Sequence, residues 1–122
     1  MPLPVTLRNE TNFVLATIAA GASLSALAYI PPGHEVVALI MPAVWTAAGL
    51  TFKASYKSSS LADVFVPAGT EYALVVVATN YVPLPAGALR GAVYIQVRSG
   101  TTGTPVNQVT ACDVTLITRP TA

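Results

Sequence analysis

The stretch LTFKASY, residues 50–56, alternates apolar and polar positions without a break. Leu50, Phe52, Ala54 and Tyr56 fall on one side of an extended chain, with Thr51, Lys53 and Ser55 on the other. Side chains of a β-strand point alternately to opposite faces, so the pattern predicts a strand with one buried and one wet side. GAVYIQVRS at 91–99 repeats it, with Val93, Ile95 and Val97 inward and Tyr94, Gln96 and Arg98 outward. TACDVTLITR at 110–119 places Cys112, Val114 and Leu116 on one face. Two further runs lack a polar side over part of their length. EVVALIM (35–41) and EYALVVVA (71–78) predict strands covered on both faces. VLATIAA (14–20), LSALAYI (24–30) and ADVFV (62–66) complete a set of about eight.

Ten prolines and eight glycines punctuate these runs and leave no room for a long helix. VWTAAGL (44–50) could hold one helical turn, which Gly49 would end. Short strands in this number within one domain predict an all-β fold, an antiparallel β-sandwich or a barrel. The alternation nominates Phe52, Val64, Val76, Val93, Ile95, Val97, Val114 and Leu116 for the core. Residues 1–13 differ, with Pro2, Pro4 and a polar RNETN. They are expected to form an extended arm before a single sandwich domain spanning 14–122. The polar loop GTTGTPVNQ (100–108) is expected to carry contacts or mobility.

Composition adds a constraint on the surface. Of 122 residues, 53% are hydrophobic and only 9% charged, against about 25% charged in ordinary domains. The net charge is +1, and Arg8, Lys53, Lys57, Arg90, Arg98 and Arg119 are scattered, so no basic stripe for nucleic acid exists. A surface this poor in charge predicts self-association, with part of it hidden in an assembly. Cys112 is the single cysteine, which rules out an internal disulfide and a thiolate-built zinc site. The apolar stretch 13–30 is interrupted by Thr17, Gly21, Ser23 and Ser25, and Glu10 offsets Arg8 before it. It is therefore expected to be strand, not a secretory signal or a membrane span.

Catalytic chemistry finds little support. His34 lies in the turn PPGHE beside Glu35, and a triad would need Cys112 or a serine from 58–60 as nucleophile. No nucleophile-elbow motif accompanies them, so His34 is expected to be an exposed turn residue. Glu10, Glu35, Asp63, Glu71 and Asp113 are dispersed, with Glu71 and Asp113 expected at strand edges facing water. A single histidine precludes a two-histidine metal site, and SGTTGTP lacks the Lys-Ser/Thr of a phosphate loop. The expectation is a non-enzyme without cofactor. A binding site for sugar rings remains the alternative, with Trp45, Tyr56 and Tyr94, and with them Tyr81, as a stacking platform. Against it, Trp45 follows Pro42, Ala43 and Val44 and suits a core or contact position.

IMPAVWTAAGLTFKAS (40–55), GTEY (69–72), VRSGTTGTPVNQ (97–108) and VTLITRP (114–120) occur in this order. Together they resemble a family of small virion proteins encoded among the structural genes of tailed bacteriophages, over residues 14–120. The chain departs from the family pattern in two places. YKSSSLADVFV lacks the Asp-Gly turn common between those strands, and the amino-terminal stretch is longer than usual. The resemblance implies a jelly-roll β-sandwich acting as a capsid cement or decoration protein. Its partners would be the major capsid protein and itself, as a homo-oligomer and by family habit a trimer. It would be made in the host cytoplasm and sit on the outer surface of the virion head, in contact with neither nucleic acid nor membrane. Pro2, Pro4, Arg8, Glu10, Asn12 and Phe13 in the arm would then contact a partner. The competing reading is a carbohydrate-binding sandwich of a phage head or tail fibre.

Overall fold

The structure, a computed structural model, describes residues 11–121. The strands are β1 (Asn12–Ile18), β2 (Ala28–Tyr29), β3 (His34–Ile40), β4 (Leu50–Ser55), β5 (Ala62–Asp63), β6 (Tyr81–Pro83), β7 (Tyr94–Ser99) and β8 (Cys112–Pro120). They form two four-stranded sheets, ordered β1-β8-β3-β6 and β2-β7-β4-β5, and every pairing is antiparallel. No helix occurs among the described residues, and VWTAAGL has only isolated bends before Leu50 starts β4.

Period-two alternation assigns the faces. β8 is the spine of the first sheet, with Cys112, Val114, Leu116 and Thr118 buried on its inner side. Ala16 and Ile18 of β1 and Val36 and Leu39 of β3 flank them. From the second sheet, Leu50, Phe52, Ile95 and Val97 close the same core, all fully buried. Each such side chain contributes roughly 1.5–3 kcal/mol by leaving water. β3 carries an irregularity at Val37, so Val36 and Ala38 lie next to Thr118 and Ile117 respectively. The extra residue puts Ala38 and Ile40 on the outer face and Leu39 on the inner one. Six of the nominated core residues are buried; Val64 and Val93 are only half-buried at the rim.

The strand expected over 71–78 is not part of either sheet. This segment runs extended, with isolated bridges Leu50↔Leu74 and Phe65↔Glu71 to the second sheet. It then reaches the first sheet, where Thr79 N–H donates to Pro42 O at 3.1 Å and Asn80 O accepts from Met41 N–H at 2.9 Å. A segment crossing between sheets can be central in neither, so one side meets water: Val76 is buried while Val75 is 93% exposed. The pairing strand comes later, as β6.

LSALAYI shortens to β2 because Ser25 substitutes for ladder bonds. Its Oγ accepts from Val97 N–H at 2.9 Å, and Gln96 Nε2 donates to its carbonyl at 2.9 Å. ADVFV likewise shortens to β5. At the amino end, Asn12 and Phe13 are not arm but the start of β1, paired with Thr118 and Ile117. The rest of the expected arm, Pro2, Pro4, Arg8 and Glu10 included, lies outside the described residues, apart from Thr11.

Candidate assembly surface

The two outer faces differ in chemistry. On the first sheet, the register lines up Phe13, Ile117, Ala38 and Pro83 as one row across four strands. Leu15, Thr115, Ile40 and Tyr81 form the next. Phe13 and Tyr81 are each 59% exposed, Leu15 45% and Ile40 38%. Antiparallel sheets with one solvated face normally place polar residues there. Among the described residues charge on this face is confined to the two ends of the β8 column and to Glu35 of β3, which lies beside Arg119 and is held by Arg90 Nη2 at 3.1 Å. Asp113 at one end accepts a 2.6 Å hydrogen bond from Thr17 Oγ1, and Arg119 stands at the other.

The second sheet turns a polar face outward: Thr51, Lys53 and Ser55 of β4, Gln96 and Arg98 of β7, and Asp63 of β5. Arg98, although outward, is buried beneath a cover of its own partners. Its Nη2 donates to Asp63 Oδ1 at 2.7 Å, and its Nη1 to Glu71 Oε2 at 3.0 Å and Thr102 Oγ1 at 2.7 Å. Thr102 in turn donates through Oγ1 to Glu71 Oε2 at 2.6 Å and through its backbone N–H to Glu71 Oε1 at 3.1 Å. Thr51 Oγ1 donates to Gly100 O at 2.8 Å. Glu71, expected at a strand edge facing water, is thus a half-buried clamp on the loop after β7; Asp113 is exposed as expected.

Asp63 has the wrong electrostatics for a general acid. The Arg98 guanidinium holds the Asp63 carboxyl below its ordinary pKa, so it is an anion at neutral pH. A proton-donating carboxyl needs the opposite shift.

Nor do the other catalytic candidates assemble. His34 pairs with Pro120 and Cys112 begins the same strand, which separates them by about 26 Å at 3.3 Å per residue. Burial raises the Cys112 thiol, with the Asp113 charge adding to it. Ser58, Ser59 and Ser60 are exposed in the loop after β4. His34 is half-buried rather than exposed, and its Nδ1 has no hydrogen-bond partner among the described residues.

The aromatic platform is divided. Trp45 precedes β4 and packs half-buried against the core, its Nε1 donating to Ala48 O at 3.3 Å. Tyr56 follows the far end of β4, 75% exposed, with Lys57 Nζ 5.5 Å from its ring centre. Tyr94 neighbours Ser55 at that far end and packs on Tyr29, ring centres 5.3 Å apart. Tyr56 and Tyr94 therefore share one end of the sheet, and Trp45 lies at the other.

Gln108 was not anticipated. It is fully buried, donating through Nε2 to Thr46 O at 3.0 Å and Ser99 Oγ at 2.7 Å. Its Oε1 accepts from Thr46 N–H at 2.7 Å. The loop 100–108 is consequently tied down at both ends, by Thr102 and by Gln108.

No known protein family, curated protein or solved structure matches this chain. Among the described residues no helix is long and apolar enough to cross a membrane.

Proposed function

We propose that this chain is a structural virion protein, a non-enzymatic cement or decoration protein on the outer surface of a tailed-phage head. The observation that carries the reading is the apolar outer face of β1-β8-β3-β6, a feature suited to burial in a protein assembly, against a second copy or a neighbouring protein, rather than to turning over a substrate. The polar groups of the other sheet, Asp63, Glu71 and Thr102, are engaged with Arg98 and leave no free catalytic pair there among the described residues, which agrees with it.

The jelly-roll form of the sandwich belongs to the same proposal. β1 pairs with β8, β2 with β7, β3 with β6 and β4 with β5. A long hairpin, its first four strands lying against its last four, gives these pairs when it is rolled up into two sheets. The strand order supports that description, and the sequence resemblance to phage virion proteins points the same way.

The test is a mass-spectrometric inventory of purified particles from the phage encoding the chain. A fixed ratio to the major capsid protein, with removal leaving intact but less heat-resistant heads, is the expected result. Absence from the particles would overturn the role. The Tyr29–Tyr94 pair with Tyr56 beside it favours, as second reading, a carbohydrate-binding module, which saturable glycan binding lost in Tyr94→Ala would establish instead.

A further inference from the structure

The outer face of β1-β8-β3-β6 is complementary to itself. Down the middle, the outward residues of β8 run Asp113, Thr115, Ile117, Arg119: a negative end, a neutral centre and a positive end. We propose that two copies of the chain pair through this face, sheet against sheet, about a twofold axis that crosses the strands above Leu116.

The charges select that axis. Two identical sheets can be laid face to face about a twofold axis along the strands or one across them. The first sets Asp113 against Asp113 and Arg119 against Arg119, which repels at both ends because Glu35 beside each Arg119 is already taken by Arg90. The second runs β8 antiparallel to its own copy and brings each Asp113 to the Arg119 of the other chain. Packed sheets lie about 10 Å apart, a gap that the long Arg119 side chain and the shorter Asp113 span together.

The same rotation sets the two apolar rows against each other. Across it, the row of Phe13, Ile117, Ala38 and Pro83 faces the row of Leu15, Thr115, Ile40 and Tyr81. Phe13 thus meets Leu15 of the second copy and Pro83 meets Tyr81, while Ala38 is already covered within its own chain. An apolar centre with charge confined to the edge is the usual layout of a protein interface. The trimer expected from the sequence would need two different patches meeting head to tail, whereas this is one patch fitting itself, which yields two copies and not three. The inference does not depend on the virion role, because it is read on the pure protein.

The experiment is sedimentation equilibrium of the full chain from low micromolar to near-millimolar concentration. A dimer of twice the 12.6 kDa chain mass is expected. Ile40→Lys, at an exposed position, should give a folded monomer. Asp113→Arg and Arg119→Asp should each weaken the dimer about tenfold by creating two like-charge contacts, and the double swap should restore it. Circular dichroism of each variant separates dissociation from unfolding. A monomer throughout, a trimer, or a dimer indifferent to Ile40→Lys would overturn the proposal. A dimer in which the double swap is no tighter than the single swaps would overturn the pairing. A monomer that dimerises only after deletion of residues 1–10 would overturn it too, by assigning the face to the chain's own first residues.

Discussion

Arg98 and Asp63 meet at 2.7 Å on the outer face of the second sheet, with the Arg98 side chain 9% exposed and that of Asp63 26%. Glu71 closes on the same guanidinium from the crossing segment at 3.0 Å. Three pieces of chain remote in sequence are thereby fixed to β7. Breaking a buried pair from one side leaves charge uncompensated, which costs far more than the intact pair gains. Arg98→Ala would leave two carboxylates facing each other. A loss of about 3 kcal/mol is expected, read as a lowered urea midpoint with the slope unchanged.

The Asp63 ion pair also predicts a pH dependence. Because Arg98 lowers the Asp63 pKa in the folded state, the unfolded chain binds the proton more readily. Its contribution is complete above the unfolded value of about 3.9 and disappears as pH falls through the lower folded value. The stability difference between wild type and Asp63→Asn should be constant from pH 7 down to about 5 and shrink below about 4. A difference that grows with acid would show the sign to be reversed.

The alternating segments carried most of the fold in plain view. Phe52, Ile95, Val97, Val114 and Leu116 could be assigned inward because a single period places each on the buried side. Arg98 was assigned to the correct face and the wrong environment. Alternation tells which way a side chain points but not what covers it, and its cover comes from Asp63, Glu71 and Thr102, all distant or in loops. EYALVVVA failed for a related reason: an apolar run does not reveal that its chain must pass between sheets. The outer face of the first sheet was hidden because Phe13 and Leu15, Ile40, and Tyr81 lie in three separate stretches of sequence, and only the register sets them side by side.

Gly100 is expected to tolerate no side chain. Its φ is +88°, and a Cβ there would run into Thr104 O and stand 2.8 Å from Val106 N, backbone atoms of the turn that folds the loop back. Gly100→Ala should cost roughly 1–3 kcal/mol. Gly103, in the same loop with nothing within 4 Å of such an atom, is the control; its alanine variant should stay within about 0.5 kcal/mol of wild type.

Cys112 should be inert in the folded protein. It is 3% exposed, its Sγ lies 3.1 Å from both Val44 O and Thr110 O, and burial raises its pKa. Little thiolate forms at neutral pH, and a reagent reaches it only when the strand opens. Labelling should be slow in buffer and fast in denaturant. Rapid labelling without denaturant would place the residue at an accessible position.

Gln108 joins the loop before β4 to the loop before β8 through three bonds to Thr46 and Ser99. Gln108→Leu keeps the volume but strands the Thr46 N–H and carbonyl, each worth about 1–3 kcal/mol when buried and unpaired. Gln108→Glu is the sharper test. A carboxylate could still accept from Thr46 N–H, yet it would face the Thr46 carbonyl, which received a proton from Nε2. The buried carboxyl would then favour its protonated form, which restores a donor and removes an unpaired charge. Its folded pKa should therefore rise above the unfolded value of about 4.3, with the destabilisation absent below that value and growing as pH climbs to the folded one. The expected signature is a variant with its deficit relative to Gln108 greatest near neutral pH and smallest near pH 4. A deficit independent of pH would mean that the carboxyl finds water or a cation, and that the site is more open than the buried amide implies.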